Sequence, residues 1–76
     1  MTIKEFLRTL APETEIRIRV FDVVEITGCT GSCKTLDIME KLRRKDCEYA
    51  WVTYIQPLHH AQELYIECVP MVPWTQ

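Results

Sequence analysis

The chain has 76 residues, with nine Lys and Arg against 11 Asp and Glu, a net charge of -2, and 47% hydrophobic residues. That length holds one domain, residues 1–76, and that composition is globular rather than disordered. The slight acidity leaves no positive excess to displace counterions from nucleic acid, which makes direct nucleic-acid binding an unfavoured expectation.

No stretch approaches the roughly 18 consecutive apolar residues of a membrane span. The opening Met1-Thr2-Ile3-Lys4-Glu5 lacks the basic flank and apolar run of an export signal, which predicts a cytoplasmic protein. Thr2 and Glu5 have the spacing of a capping box, in which each satisfies a free N–H at a helix start. Ile3, Phe6, Leu7 and Leu10 recur at helical spacing, which predicts a helix over 3–10 ended by Ala11-Pro12. Residues 15–20 alternate strictly, with Ile16, Ile18 and Val20 on one face and Glu15, Arg17 and Arg19 on the other. This is a half-buried strand. Val24 and Ile26 continue the same phase. A two-residue turn at Phe21-Asp22 would set Ile18 against Glu25 and mix the faces. The pattern therefore requires an odd-length turn, or one long strand bent near Asp22.

Both glycines fall in Gly28-Cys29-Thr30-Gly31-Ser32-Cys33. Thr35 is placed to cap a second helix over 35–45, with Leu36, Ile38, Met39 and Leu42 as its apolar side. Lys41, Arg43, Arg44 and Lys45 lie in its last turns, where cations suit the negative end of the helix dipole. Residues 49–56, rich in aromatic and β-branched types, predict a strand. Residues 57–61 predict a connection and residues 63–69 a last strand. Residues 70–76, with two prolines and Trp74, are expected to form a flexible tail. The expected fold is α+β: two helices on a three- to four-stranded mixed sheet, in the order α-β(β)-α-β-β, with a zinc-stapled loop.

The staple comes from four Cys and two His. In a reducing cytosol clustered Cys and His favour metal over disulfides, and a domain this small gains from such a cross-link. Zinc needs about four thiolate or imidazole ligands on a tetrahedron. Cys33 and Cys47 flank a helix roughly 16 Å long at 1.5 Å per residue, too far apart to share one ion. If the strands before and after that helix run parallel, the end of the later one returns to the edge of the sheet that carries Cys29 and Cys33. His59 and His60 lie at that end. The expected ligands are therefore Cys29, Cys33, His59 and His60, with Cys47 and Cys68 as a separate pair of thiols. A weaker version replaces one His by Cys47 or Cys68. Gly28 and Gly31 would supply the backbone angles of the knuckle.

Four protein ligands leave no open position on zinc, so the metal is expected to be structural and the protein non-enzymatic. A thiol–imidazole pair such as Cys33 and His59 finds no orienting third residue and no oxyanion site. The basic run Lys41 to Lys45 is read as a solvated, dipole-matched helix end. Tyr49, Trp51, Tyr54 and Tyr65 could stack bases, but core packing is the commoner use of such a strand. Exposed Trp51 and Trp74 are the expected contacts for a protein partner.

The opening Met-Thr-Ile-Lys-Glu-Phe-Leu-x-x-Leu-x-Pro-x-Thr-Glu-Ile-x-Ile, residues 1–18, resembles the start of small proteins carried by phages and mobile elements of Firmicutes. Among these are type II anti-CRISPR inhibitors, some of them zinc-containing. The resemblance implies a stoichiometric inhibitor that docks on a type II CRISPR effector nuclease and blocks target DNA loading, with no catalytic residues. The alternative expectation is a small zinc-binding nucleic-acid-binding or regulatory module of a mobile element.

Overall fold

The computed structural model describes residues 1–58 and 62–70, apart from the Ser32 side chain. Its elements are α1 (Ile3–Leu7), β1 (Glu15–Val20), β2 (Val24–Cys29), α2 (Ser32–Arg44), β3 (Trp51–Leu58) and β4 (Glu63–Val69). The α+β class and the four-stranded mixed sheet are as expected. Strand order is β2-β1-β4-β3, with β1 and β4 parallel and both outer pairs antiparallel. β2 and β3 therefore run in the same direction, as the two edges of the sheet. Most of the expected tail, residues 71–76, lies outside the described residues, as do His59 and His60.

The capping box forms: Thr2 N–H donates to Glu5 Oε1 at 2.9 Å and Glu5 N–H to Thr2 Oγ1 at 3.2 Å. The Thr2 N–H holds the Glu5 carboxyl below its ordinary pKa. α1 ends at Leu7 rather than Leu10 because the next turn tightens. Thr9 N–H and Leu10 N–H donate to Phe6 and Leu7 carbonyls three residues back, and the Thr9 hydroxyl also takes the Phe6 carbonyl, at 2.7 Å. Leu10 still packs at the margin of the core.

The odd-length turn is the outcome for residues 21–23. Val20 pairs with Val24 and Ile18 with Ile26, so the faces stay in phase. Val23 N–H closes the turn on the Val20 carbonyl at 3.0 Å, and Asp22 takes the left-handed conformation at φ 61. Asp tolerates that region better than most residues, which is why no glycine is needed.

α2 starts earlier than expected, with Gly31 as N-cap at φ 117. Thr35 does satisfy the helix start, but from inside it: its hydroxyl accepts Gly31 N–H at 2.8 Å. Cys33 thus lies within the helix. Of the two glycines only Gly31 takes a positive φ; at Gly28 a Cβ would meet Ile38 Cγ1 at 3.0 Å, so this glycine lets α2 lie close on β2. At its other end α2 finishes in a paired cap. Cys47 N–H donates to the Leu42 carbonyl at 2.8 Å and Asp46 N–H to the Arg43 carbonyl at 3.0 Å, with Asp46 at φ 57. Such an ending brings the residue after the turn onto the last helical turn, and Cys47 and Leu42 are accordingly both buried.

β3 runs two residues further than the expected strand, through Pro57 and Leu58. An edge strand has a neighbour on one side only, so the missing Pro57 N–H breaks no ladder bond. A bulge between Val52 and Tyr54 reverses the alternation. Val52 faces the helices before it; Ile55 and Pro57 face them after it. The strict odd–even division expected for residues 49–54 therefore stops at Thr53.

The core lies between the sheet and the two helices. One row of isoleucines crosses all four strands in register, Ile26, Ile18, Ile66 and Ile55. Its first three members are buried, whereas Ile55 is 42% exposed. At one end of the sheet the loops are tied by Thr30, whose buried hydroxyl donates to the Ala11 carbonyl at 2.6 Å and accepts Thr14 N–H at 3.0 Å. Thr30→Val is expected to strand both partners and cost about 1–3 kcal/mol in urea unfolding; a loss under a few tenths would refute this role.

Candidate interaction surface

The strand order decides where the expected metal ligands begin. Cys29 is opposite Glu15, Ile16 is opposite Leu64, and Glu63 is opposite Leu58. Cys29 and the end of β3 are therefore at the same end of the sheet, as the sequence argument required. They are also three inter-strand spacings apart, roughly 14 Å. Cys29 is half-buried, its thiol donating to the Thr30 carbonyl at 3.6 Å, and Cys33 is exposed in the first turn of α2. Among the described residues no three His, Cys, Asp or Glu side chains converge as a metal site; His59 and His60 are not among those residues.

Cys47 and Cys68 are free and buried, at the other end of the sheet. Burial pushes both thiols up, Cys68 to about 12, with a further push on Cys68 from the neighbouring Cys47. Raised pKa values make them poor nucleophiles and poor ligands at neutral pH.

The basic run is exposed at the end of α2, but it is partly neutralised. Glu40 Oε2 lies 2.7 Å from Arg43 Nη2 and 3.3 Å from Arg44 Nε. The two guanidinium groups hold the Glu40 carboxyl below its ordinary pKa.

The face of the sheet away from the helices carries the opposite sign. Glu15, Glu25, Glu63 and Glu67 share it with Arg17 and Arg19. Arg17 lies between Glu25 at 3.1 Å and Glu63 at 3.2 Å. Tyr65 donates its hydroxyl to Glu67 at 2.9 Å and meets Tyr54 edge-on, ring centroids 6.5 Å apart. Acids interleave these rings, so the face would repel the phosphates of a stacked nucleic acid.

At one end this face becomes apolar. Trp51 is directly opposite Val69, and Phe21 N–H donates to the Cys68 carbonyl at 2.9 Å, which sets Phe21 beside Val69. Phe21 (60% exposed), Trp51 and Val69 are exposed there, Val23 is exposed in the adjoining β1–β2 turn, and Met1 borders Trp51 on the edge of β3, its carbonyl accepting Val52 N–H. Arg19 and Glu67 border a small cleft between Phe21 and Val69. Of this group only Trp51 was an expected partner contact from the sequence; Trp74 lies outside the described residues. One signal was available for the others: Phe21 and Val23 occupy a hairpin turn, where large apolar side chains contribute nothing to the core.

No protein-family description, curated protein or solved structure matches this chain.

Proposed function

We propose that the protein is a non-enzymatic binding module that acts by covering a surface of another protein. The observation that carries this reading is the exposed group Phe21, Val23, Trp51 and Val69 at the end of an acidic sheet face. Clustered aromatic and apolar side chains of this kind are the usual energetic centre of a protein contact, and the flanking charges set the partner's complement. The complement here is an apolar pocket with a basic rim. A nucleic-acid channel on an enzyme has such a rim, which accords with the resemblance of residues 1–18 to anti-CRISPR proteins. The concrete form is therefore an inhibitor that fills the DNA channel of a type II CRISPR effector nuclease.

The two levels fail separately. Calorimetry with the guide-loaded effector is expected to give one-to-one binding that excludes target DNA; no binding overturns the inhibitor form. Trp51→Ala is expected to weaken the contact by about 2 kcal/mol, roughly 30-fold in Kd, while Arg44→Ala changes it little. Equal effects of the two substitutions overturn the surface. Binding of mixed-sequence DNA that weakens steeply with salt would instead support the alternative module, acting through Lys41, Arg43, Arg44 and Lys45.

The zinc set is a separate proposal, supported by one exposed and one half-buried thiol, Cys33 and Cys29, on either side of the Gly31 turn. To use Cys29, Cys33, His59 and His60, the loop after β3 has to reach back across two strands. Untagged protein is then expected to hold about one zinc per chain. Chelation should leave Cys29 and Cys33 reactive towards a thiol reagent and Cys47 and Cys68 silent until unfolding. Full zinc in Cys29→Ser overturns the set.

A further inference from the structure

β3 is an edge strand without a single charged residue along Trp51–Leu58. Natural edges are usually blunted by charges, bulges or covering segments, because their free N–H and C=O groups otherwise template pairing. Part of this edge is covered. Ile3 N–H donates to the Ala50 carbonyl at 2.8 Å, Val52 N–H donates to the Met1 carbonyl at 2.9 Å, and Thr2 bridges Trp51. The strand thus already accepts a neighbour at its start, and from Thr53 on no described residue covers it.

The ladder shows which groups point outward. Pro57 has no N–H, so its pairing with Leu64 cannot be a hydrogen-bonded pair of the β3–β4 ladder. The bonded pairs are those of Tyr54, Gln56 and Leu58. Ile55 N–H and C=O, together with the Pro57 carbonyl, face the open edge, and none of them has a ladder partner among the described residues. Ile55 is also the exposed fourth member of the isoleucine row.

We propose that this edge pairs antiparallel with β3 of a second copy of the chain, with Ile55 on the two-fold axis. Antiparallel edge pairing is self-complementary: each residue meets its symmetry mate, as an isologous interface requires. The segment 53–57 is centred on Ile55, and the covered stretch 50–52 stops pairing from running further. Ile55 exchanges two backbone hydrogen bonds with its mate, and the Pro57 carbonyl remains beside that pair as an acceptor without a donor of its own. The axis stands perpendicular to the sheet, so both helix layers stay on one side. The row Ile26, Ile18, Ile66, Ile55 then continues into its own reverse, covering Ile55 with Ile55. No like charges meet, because β3 has none. The other edge, β2, carries Glu25, which bonds to Arg17.

Sedimentation equilibrium of the intact chain is the test. The mass is expected to rise from 9.0 kDa towards twice that value as concentration increases from low micromolar to submillimolar. Ile55→Lys brings two ammonium groups together on the axis and is expected to remain at the monomer mass over the whole range. Its circular dichroism should match the wild type, since Ile55 is exposed. As a second measurement, Ile55→Cys with Cys29 and Cys33 replaced by serine is expected to give a symmetric disulfide, because Cα atoms of a bonded pair lie about 5.5 Å apart. A wild type that stays monomeric overturns the proposal. So does an Ile55→Lys variant that associates as the wild type does, which would place the contact at the Trp51 end or elsewhere.

Discussion

Ile18→Ala is expected to remove about 2–5 kcal/mol of stability, against a total of roughly 4–11 kcal/mol for a domain of this size. Ile18 is fully buried in β1, between Ile26 of β2 and Ile66 of β4. Truncation loses the transfer energy of the deleted carbons and leaves a cavity that strands hydrogen-bonded on both sides cannot close. In a domain of this size each kcal/mol lowers Tm by about 4–8 °C, so the variant should melt about 8 °C or more earlier. Ile55→Ala makes the contrast. It sits in the same row, but its side chain is already partly in water, and its cost should stay under about 1 kcal/mol. Chemical denaturation of the two variants at one pH checks both values. Similar losses for both would mean that the row does not mark the centre of the core.

The second large effect is set by pH. Burial and the adjacent Cys47 hold the Cys68 thiol at about 12, against about 9 when the chain is unfolded. Between those values the unfolded chain loses its proton while the folded chain keeps it. Deprotonation therefore favours unfolding. The contribution is fully present below pH 9, declines as pH rises, and is gone above 12. The rise from about 9 to about 12 corresponds to about 4 kcal/mol. Tyrosines and lysines titrate in the same range, so the measurement is a difference. The gap in stability between wild type and Cys68→Ala should favour the wild type at pH 7 and narrow, or change sign, as pH climbs past 10. A gap independent of pH would show that Cys68 ionises freely in the folded protein.

Local features of this fold were legible in the sequence where neighbouring residues determine them. The capping box at Thr2 and Glu5 and the even phase of Ile16 to Ile26 are of this kind. That phase also left two choices, an odd-length turn or one long strand bent near Asp22, and residues 21–23 form the turn. What was not legible depends on contacts between distant segments. Nothing near Glu15 or Glu63 announces that β1 and β4 are parallel neighbours, and that pairing sends β2 and β3 to opposite edges. The shared end of Cys29 and the β3 terminus followed from strand direction; their separation follows from strand order, which direction alone does not give. The bulge at Thr53 escaped for a related reason. It serves the register with β4, and its only local trace is that Val52 and Ile55, three apart, must both face the helices. Gly28 was read as a backbone requirement, whereas its role is to admit Ile38. Cys47 was placed only as a residue flanking the second helix, whereas its N–H and that of Asp46 close α2.

The parallel β1–β4 contact has a kinetic meaning. β1–β2 and β3–β4 are antiparallel pairs of strands that follow each other closely in the chain, so their contacts are local. Joining them requires Arg17 and Glu63, 46 positions apart, to come together across a loop that contains the whole of α2. Closing such a loop costs entropy before the contacts at the seam repay it, so the encounter of the two hairpins is the slow event. Mutations in the seam, at Ile18 and Ile66, should then act chiefly on the folding rate, and mutations at the hairpin turn around Asp22 chiefly on the pre-formed halves. The helix between the two hairpins is then the tether over which they have to find each other.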